Sequence, residues 1–518
     1  MHRFVTIELS RIKDIIRNAV NNVSDGSAHR EDVIESVLKE LASIDGLGAS
    51  GNIILMTDSY KVSQWRQYPP GTNVIYSYFE SRGGKWDHVC FFGLQYILKR
   101  YFEGMVVTRS KIEEAAGIFE KHFGDSSIFN RAGWEYILAK HGGRLPITIK
   151  AVPEGQCVPN HNVLVTIENT DPACFWLPNY LETLLVKLWY PCTVATSSRE
   201  QKKIIHKWLN KTGCYSESSL LFKLHDFGFR GVSSVESAGL GGLAHLINFR
   251  GTDTLAAVEL ADKYYGCKMA GFSIPASEHS TITSWGREAE GDAYRNMLEQ
   301  FPKGPVACVS DSWDVFEACR RYWGDEFRSI IEHRNGCLIV RPDSGDPAET
   351  VCKVLKILGG EEDPEIGFGK DVRLSSTGHK ILPDYVRIIQ GDGVDIESLE
   401  KILCAVAEAG WAAENLAFGS GGALLQKVNR DTLKFAFKCS YAEVSGVGRD
   451  VYKDPVTDPG KRSKKGRLIL TSGPDDTLTT VSSLPNNKDQ LIEVFRDGNI
   501  LKEWTLEEIR SRADISRY

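Results

Sequence analysis

The sequence predicts an α/β protein whose middle is a parallel (β/α) barrel, and three observations carry that expectation. Beyond Pro191, short apolar runs end in polar, glycine-rich turns and pass into helix-period patterns, seven times over. The flanking stretches mix strand-like and helical patterns without that regularity. At 518 residues, with 42% hydrophobic and 25% charged residues, the chain is too long for one ordinary core and has a globular composition.

Residues 1–50 read as a helical extension. Val5, Leu9, Ile12, Ile16, Val20 and Val23, then Ile34, Val37, Leu38 and Leu41, step at helical spacing before a glycine-rich linker at 46–51. Packing of these helices on each other or on the body is the plain reading. Arg3, Arg11, Lys13 and Arg17, against Glu8 and Asp14, leave a mitochondrial targeting segment as the second.

Residues 51–190 form an α+β layer, with strands over Asn73–Phe79 and Ile147–Val152 and helices around Gly93–Phe102 and Lys111–His122. Within it, MTDSYKVSQWRQYPPGT sets Asp58 and Tyr60 on a polar turn after an apolar strand, where Asp58 also suits a helix N-cap. Residues 191–430 carry the barrel. Its strands are expected at Leu221–Leu224, Leu246–Phe249, Ala270–Ile274, Val306–Val309, Leu338–Val340, Val386–Ile389 and Leu416–Phe418. Residues 431–518 return to strand-like runs and hold a basic stretch: Lys453, Lys461, Arg462, Lys464, Lys465 and Arg467.

A barrel of this kind places its site at the carboxyl ends of its strands. The turns there bring His225, Asp226, Arg230, Asp253, His279, Ser310, Asp311, Asp314, Arg341, Asp343, Asp392, Gly421 and Gly422 to one mouth. Each taken singly also reads as a cap or turn former. The middle stretch, GFSIPASEHSTITSWG, sets His279 where a strand hands over to a helix, and a hydrogen-bonded structural histidine is the plain reading there.

The chemistry of the set is coherent. Arg230 and Arg341 are planar forks for phosphate oxygens, and Gly421-Gly422 at a helix start lets backbone N–H groups approach an anion. Asp311, Asp343 and Asp392 are hard oxygen donors for ribose hydroxyls or Mg²⁺. Phe227 and Tyr60 offer faces for a flat ring. A base and a phosphosugar together suggest glycosyl transfer.

Other classes find less support. Lys+Arg 62 against Asp+Glu 68 gives a net charge of -6, which draws the molecule to neither nucleic acid nor anionic membrane. The 12 cysteines show no C-x-x-C pair, and reduced thiols in a cytoplasmic protein are expected. No run approaches the ~20 apolar residues of a membrane span. Gly239-Leu-Gly-Gly-Leu-Ala244 fits G-x-G-x-x-A but lacks the strand before it and the acid after it, so it reads as a small-residue helix face.

The motifs TDSYK (57–61), KLHDFGFRGVSS (223–234), NFRGTDT (248–254), PASEHSTITSWG (275–286), SDSWD (310–314), RPDSGDP (341–347), IQGDGVDI (389–396), FGSGGALLQK (418–427) and KRSKKGRL (461–468) closely resemble the nicotinamide phosphoribosyltransferases, of the type II phosphoribosyltransferase family. The resemblance spans residue 53 to the C-terminal region; residues after Glu80 are fewer, and those from Gly359 to His379 more numerous, than in the vertebrate enzymes. It implies an irregular (β/α) barrel, an α/β sandwich layer formed by N- and C-terminal segments, and a homodimer with shared active sites.

It also implies an ATP-coupled reaction in which nicotinamide and phosphoribosyl pyrophosphate give nicotinamide mononucleotide and pyrophosphate, with Mg²⁺ held mainly by the pyrophosphate. Phe227 and the second subunit's Tyr60 are then the stacking pair, and Asp253 accepts the carboxamide N–H. Arg230, His279 and Arg341 correspond to pyrophosphate contacts, Asp343, Gly391, Asp392, Gly422 and Arg430 to phosphoribosyl contacts, and Lys438, Lys453 and Lys461 to ATP and phosphate; Ser273, Ser310 and Gly421 join the substrate-binding set. His279 matches the phosphorylated histidine, oriented by Glu278 or Asp311, and Asp311 and Asp343 join it as catalytic candidates. A nicotinate-using enzyme and a catalytically silent binding protein on the same fold are the alternatives.

Overall fold

The computed structural model describes residues 51–457, 462–473, 475–482 and 488–517; the 1–50 extension and Lys461 lie outside them. Two sheets organise the chain. Six parallel strands run in the order Gly251–Thr252, Leu224–Asp226, Leu416–Ser420, Val386–Gln390, Leu338–Arg341, Val306–Val309. Val306, Val309, Leu338, Val340, Val386, Ile388, Leu416 and Phe418 are buried, as strands covered on both faces require. Helices Val235–Leu246, Leu255–Tyr265, Glu290–Gln300, Pro347–Leu358 and Ile396–Glu408 alternate with the strands along the chain.

The sheet curls until its two edges share one segment. Phe272 bridges to Gly251 at one edge and Ala276 to Ala307 at the other, both in parallel sense. Thr252 N–H donates to Phe272 O (3.0 Å), while Ala307 N–H donates to Pro275 O and Ser277 N–H to Ala307 O (2.9 Å each). Residues 272–277 thus form an irregular seventh stave that closes the barrel. They are no regular strand because Pro275 has no N–H to give a ladder and the segment must change neighbours in mid-course.

The expected strands correspond from Val306–Val309 onward, and the first three need correction. Ala270–Ile274 is not a strand but leads into the irregular stave at 272–277. The Leu246–Phe249 run is the end of helix Val235–Leu246 and its exit, and the strand follows at Gly251–Thr252; Leu240, Leu243 and Leu246 share that helix at its own period. The strand expected at Leu221–Leu224 begins only at Leu224 and runs to Asp226. Similarly, the apolar run before Asp58 is a single 3₁₀ turn, Ile53–Leu55.

The second sheet is antiparallel and draws on both ends of the described chain, in the order Val447–Asp450, Phe435–Val444, Thr72–Ser81, Val163–Asn169, Ile147–Ala151, Ile492–Arg496, Asn499–Ile500. Phe79 and Phe435 stack across the pair that joins the two segments, with centroids 5.1 Å apart. The 23-residue helix Trp189–Lys211 belongs to both layers: Cys192 and Val194 lie in the first core, Ile205 and Trp208 in the barrel core. Its buried Arg199 donates through Nε to the Ala513 carbonyl at 2.8 Å, tying the C-terminal helix Leu506–Ala513 to it. No described helix is long and apolar enough to cross a membrane.

Closure rests on Ser277, a buried residue whose Oγ accepts the Val309 N–H at 2.9 Å. Replacing Ser277 with Ala strands that N–H inside the barrel, at a cost of about 1–3 kcal/mol. Urea unfolding should show that loss, and an unchanged midpoint would remove the bond from the closure.

Candidate active site

Three turns at the strand ends are built alike, each with two aspartates three residues apart. In each, the second aspartate caps the following helix. Asp314 accepts the Phe316 and Glu317 N–H groups (2.9 and 3.0 Å), Asp346 that of Glu349 (3.0 Å), and Asp395 those of Glu397 and Ser398 (3.1 and 2.9 Å). Asp314, expected at the mouth, is therefore a cap. The first aspartates, Asp311, Asp343 and Asp392, are left free of that duty.

Asp311 holds His279. Its Oδ1 lies 2.9 Å from His279 Nε2, and its side chain is 4% exposed against 46% for the imidazole. Of the two candidate partners, Asp311 is the one that orients His279. Glu278 caps the short helix His279–Thr283 in a box with Thr281, and its carboxylate also accepts the Ser280 hydroxyl. A carboxylate on Nε2–H fixes the tautomer that leaves Nδ1 with a free lone pair.

Around Gly391 three groups converge. A Cβ built there would lie 3.2 Å from Asp343 Oδ1, 3.5 Å from Phe227 Cε2 and 3.7 Å from Arg341 Cδ. The Phe227 ring lies against Gly419, where a Cβ would come within 2.0 Å of Cε2. Gly419 is thus a site residue that the sequence reading passed over; its only signal was a place in the FGSGG motif. Phe227 N–H donates to Ser420 O at 3.0 Å, which seats the turn.

Arg341 Nε is buried without a protein partner, and the guanidinium keeps donors to spare. Burial raises the pKa of Asp343; Arg341 opposes the shift, Asp311 adds to it, His279 opposes it and Asp392 adds to it. Asp392 itself is exposed, its turn held by Gln390 Nε2 donating to the Asp392 carbonyl at 2.8 Å.

Arg230 stands exposed on the turn Phe229–Gly231, which packs on the other glycines: a Cβ on Gly231 would lie 3.2 Å from Gly422 N. Gly421 caps a helix of only four residues, Gly422–Leu425, so its first N–H groups rather than a long macrodipole are what it offers an anion. Asp253 and Ser273, both exposed, are joined through a hydrogen bond from the Ser273 hydroxyl.

Other expected residues lie apart. Ser310 is fully buried, its hydroxyl donating to Cys308 O and accepting from Trp323 Nε1 (3.0 Å each), so it is committed to the core and not to a ligand. Tyr60, 60% exposed, belongs to the outer layer on the 3₁₀ helix Ser59–Arg66, where Lys61 Nζ stands 5.3 Å from its ring centroid.

Lys438 lies on the antiparallel sheet, its pKa lowered first by burial; Glu182 counters this, and positive Arg82, Lys453 and Arg430 lower it further. That grouping adds Arg82, which the sequence reading did not single out. The rest of the basic stretch is largely paired: Lys464 with Glu80, Arg462 with Asp454, Arg467 with Glu168.

Asp311, Asp343 and Asp392 do not draw together as an all-protein metal cage. Among the described residues the one such group is His141, Asp171 and Cys174 in the outer layer, where Asp171 also accepts the Ala173 N–H and burial pushes the Cys174 thiol up to about 12.

Residues 222–499 match the model of the nicotinate phosphoribosyltransferase (NAPRTase) family, and residues 52–149 that of the nicotinamide phosphoribosyltransferase N-terminal domain. A nicotinamide phosphoribosyltransferase from Xanthomonas campestris pv. campestris (strain 8004) is 51% identical over 477 residues, covering 90% of this chain and 99% of that protein. The chain belongs to the nicotinate phosphoribosyltransferase family.

A second relative, the nicotinamide phosphoribosyltransferase of Acinetobacter baylyi (strain ATCC 33305 / BD413 / ADP1), is 33% identical over 493 residues, covering 88% of this chain and 95% of its own. Two solved structures share the fold of the family. Nicotinate-nucleotide pyrophosphorylase from Pyrococcus furiosus has a TM-score of 0.56 at 15% identity, over 91% of this chain and 97% of that one. Human nicotinic acid phosphoribosyltransferase has 0.54 at 16%, over 89% and 93%.

Beneath the mouth, Asp226 ties three turns of this family member together. Its Oδ1 accepts the Gly228 N–H at 2.7 Å, and its carbonyl accepts the Asp253 N–H at 2.9 Å. The strand it ends pairs with Leu416–Ser420, placing Asp226 opposite Ser420. Its Oδ2 is buried beside the hydroxyls of Thr254 and Thr252, which favour the charged form against the effect of burial. Burial raises the carboxyl from 3.8 to about 6.

The native state therefore keeps this proton to higher pH than the unfolded chain. The associated stability is fully present below about pH 4 and is lost as pH rises through about 6, a change of about 2–3 kcal/mol. Asp226→Asn removes the titration and keeps an acceptor for Gly228. Its unfolding free energy relative to wild type should improve between pH 5 and pH 8, and a difference that stays constant with pH would show that Asp226 does not titrate in this way.

Proposed function

We propose that the chain transfers the phosphoribosyl group of phosphoribosyl pyrophosphate to nicotinamide, yielding nicotinamide mononucleotide and pyrophosphate in NAD salvage, with ATP hydrolysis coupled through His279. The observation that carries this reading is the convergence of Phe227, Arg341 and Asp343 about Gly391, beside the glycines against which the Arg230 turn packs. One mouth thereby offers an aromatic face, a cationic fork and a carboxylate within a few ångströms of each other. The names of the relatives support the same assignment.

In this mechanism nicotinamide lies on Phe227, and its carboxamide N–H donates to Asp253. Ser273 donates to that carboxylate and keeps it turned toward the ring. The ring nitrogen attacks C1′ of the sugar as the bond to pyrophosphate breaks, and positive charge grows on the ribose. Asp343 and Asp392 face that charge, while Arg341, with its unpartnered Nε, and Arg230 receive the leaving pyrophosphate. Asp343 and Asp392, with the pyrophosphate oxygens, would hold Mg²⁺, which would supply positive charge for the leaving group.

His279 acts on ATP and not on the sugar. With Nε2–H held by Asp311, Nδ1 attacks the γ-phosphorus, the bond to the bridging oxygen breaks, and ADP departs. Water later releases phosphate. The exposed Tyr60 and the basic group of Arg430, Lys438 and Lys453 suit a cytoplasmic homodimer in which each outer layer completes the partner's mouth.

Purified protein given nicotinamide or nicotinate with phosphoribosyl pyrophosphate, with and without ATP, tests the reading; it expects nicotinamide to be preferred and ATP to raise turnover. The charge on Asp253 repels a second carboxylate. Asp253→Asn should shift the kcat/KM ratio toward nicotinate by about tenfold or more, and an unchanged ratio would take Asp253 out of that role. With γ-labelled ATP, wild type should acquire acid-labile protein-bound phosphate and His279→Ala should acquire none; label persisting in the variant defeats the phosphohistidine.

A further inference from the structure

A second pair of facing reactive groups lies in the outer layer, away from the mouth. Strands His88–Cys90 and Cys157–Pro159 form a two-stranded antiparallel ribbon in which Cys90 stands opposite Cys157. Backbone bonds flank this pair without joining it. Phe91 N–H donates to Gln156 O at 3.0 Å on one side and Asn160 N–H to Asp87 O at 2.9 Å on the other, while the Cys90 N–H turns away to Thr196 Oγ1 at 3.0 Å.

The pair therefore occupies a non-hydrogen-bonded position, where opposed Cα atoms come to about 4.5 Å and side chains approach most closely. That separation falls within the range a disulfide spans, about 4.4–6.8 Å. As opposed residues the two side chains project to the same face of the ribbon, and the Cys90 S–H donates to Gly155 O at 3.8 Å.

Their surroundings divide the two roles. Arg199, His88 and Lys203 set positive charge about Cys157 and favour its thiolate, while burial raises the Cys90 thiol, whose S–H is held by the Gly155 carbonyl. A thiolate-favouring sulfur beside a protonated one is the arrangement of an attacking and a resolving cysteine. Nothing in the transfer reaction uses either residue.

We propose that Cys90 and Cys157 form a peroxide-reactive dithiol, in which Cys157 is oxidised first and Cys90 resolves it into a cross-strand disulfide. The Cys157 thiolate attacks one oxygen of hydrogen peroxide, the O–O bond breaks, and hydroxide leaves, giving a sulfenic acid. Cys90 sulfur then attacks the Cys157 sulfur, and its proton leaves with the departing hydroxyl as water. Two thiols and one peroxide give one disulfide and two waters. The new bond fastens the ribbon where it packs on helix Trp189–Lys211, through which the outer layer meets the barrel.

The test is peroxide titration of the full-length protein, followed by non-reducing digestion and mass spectrometry. The expected result is a Cys90–Cys157 linked peptide pair, 2 Da lighter than the free thiols, at peroxide levels that leave Cys352 and Cys404 reduced. With dimedone present, Cys90→Ser should carry the adduct on Cys157, whereas Cys157→Ser should keep Cys90 as a free thiol. Recovery of both wild-type cysteines as thiols once Cys352 and Cys404 are oxidised would overturn the proposal. So would a dimedone adduct on Cys90 in Cys157→Ser.

Discussion

The closing of the barrel by residues 272–277 is the constraint on which the rest of the site depends. An open parallel sheet of six strands would leave its two edges, Gly251–Thr252 and Val306–Val309, apart. The stave binds Phe272 to one edge and Ala276 to the other. Because Ser273 sits at its start and His279 just beyond its end, the same segment presents a hydroxyl to Asp253 and an imidazole to Asp311. Base recognition and phosphoryl acceptance, in the proposed mechanism, are two ends of one structural element.

A second principle is division of labour within short turns. Each D-x-x-D turn needs one carboxylate to satisfy helix N–H groups and releases another for chemistry. The caps are well-bonded anions at helix starts, whereas the first aspartates have few protein donors. Asp343 shows the consequence, since burial and like-charged neighbours raise its pKa while Arg341 and His279 hold it down. Such a carboxylate is placed to respond to a positive charge that appears only during reaction. The aromatic shelf relies on absence instead: Phe227 can occupy the mouth because Gly419 and Gly391 leave room for its ring and for Asp343.

Much of this was legible in the sequence because strand ends in a parallel barrel are marked twice, by apolar runs and by the polar turns after them. The later strands, apolar and β-branched, were read closely. The early ones were not, since Leu240, Leu243 and Leu246 serve a buried helix whose period a short apolar run cannot disclose. His279, Arg341 and Asp343 could be placed at the mouth, but which carboxylate grips His279 could not, because Glu278 is adjacent in sequence and Asp311 only in space. Ser310 and Asp314 looked equal to their neighbours. Their hydroxyl and carboxylate turn inward to Trp323 and to a helix start, a matter of side-chain direction that residue type does not carry. The role of Gly419 rests on where another residue's ring lies, and the sequence holds no local sign of that.

In the proposed reaction a flat base is received on a Phe227 ring seated over a bare backbone at Gly419. Steady-state kinetics of Gly419→Ala measure it most directly, because the added methyl would fall within 2.0 Å of Phe227 Cε2 and must unseat the ring. The KM for nicotinamide should rise by about tenfold, with the KM for phosphoribosyl pyrophosphate little changed. A Gly419→Ala enzyme with wild-type KM for nicotinamide would contradict it.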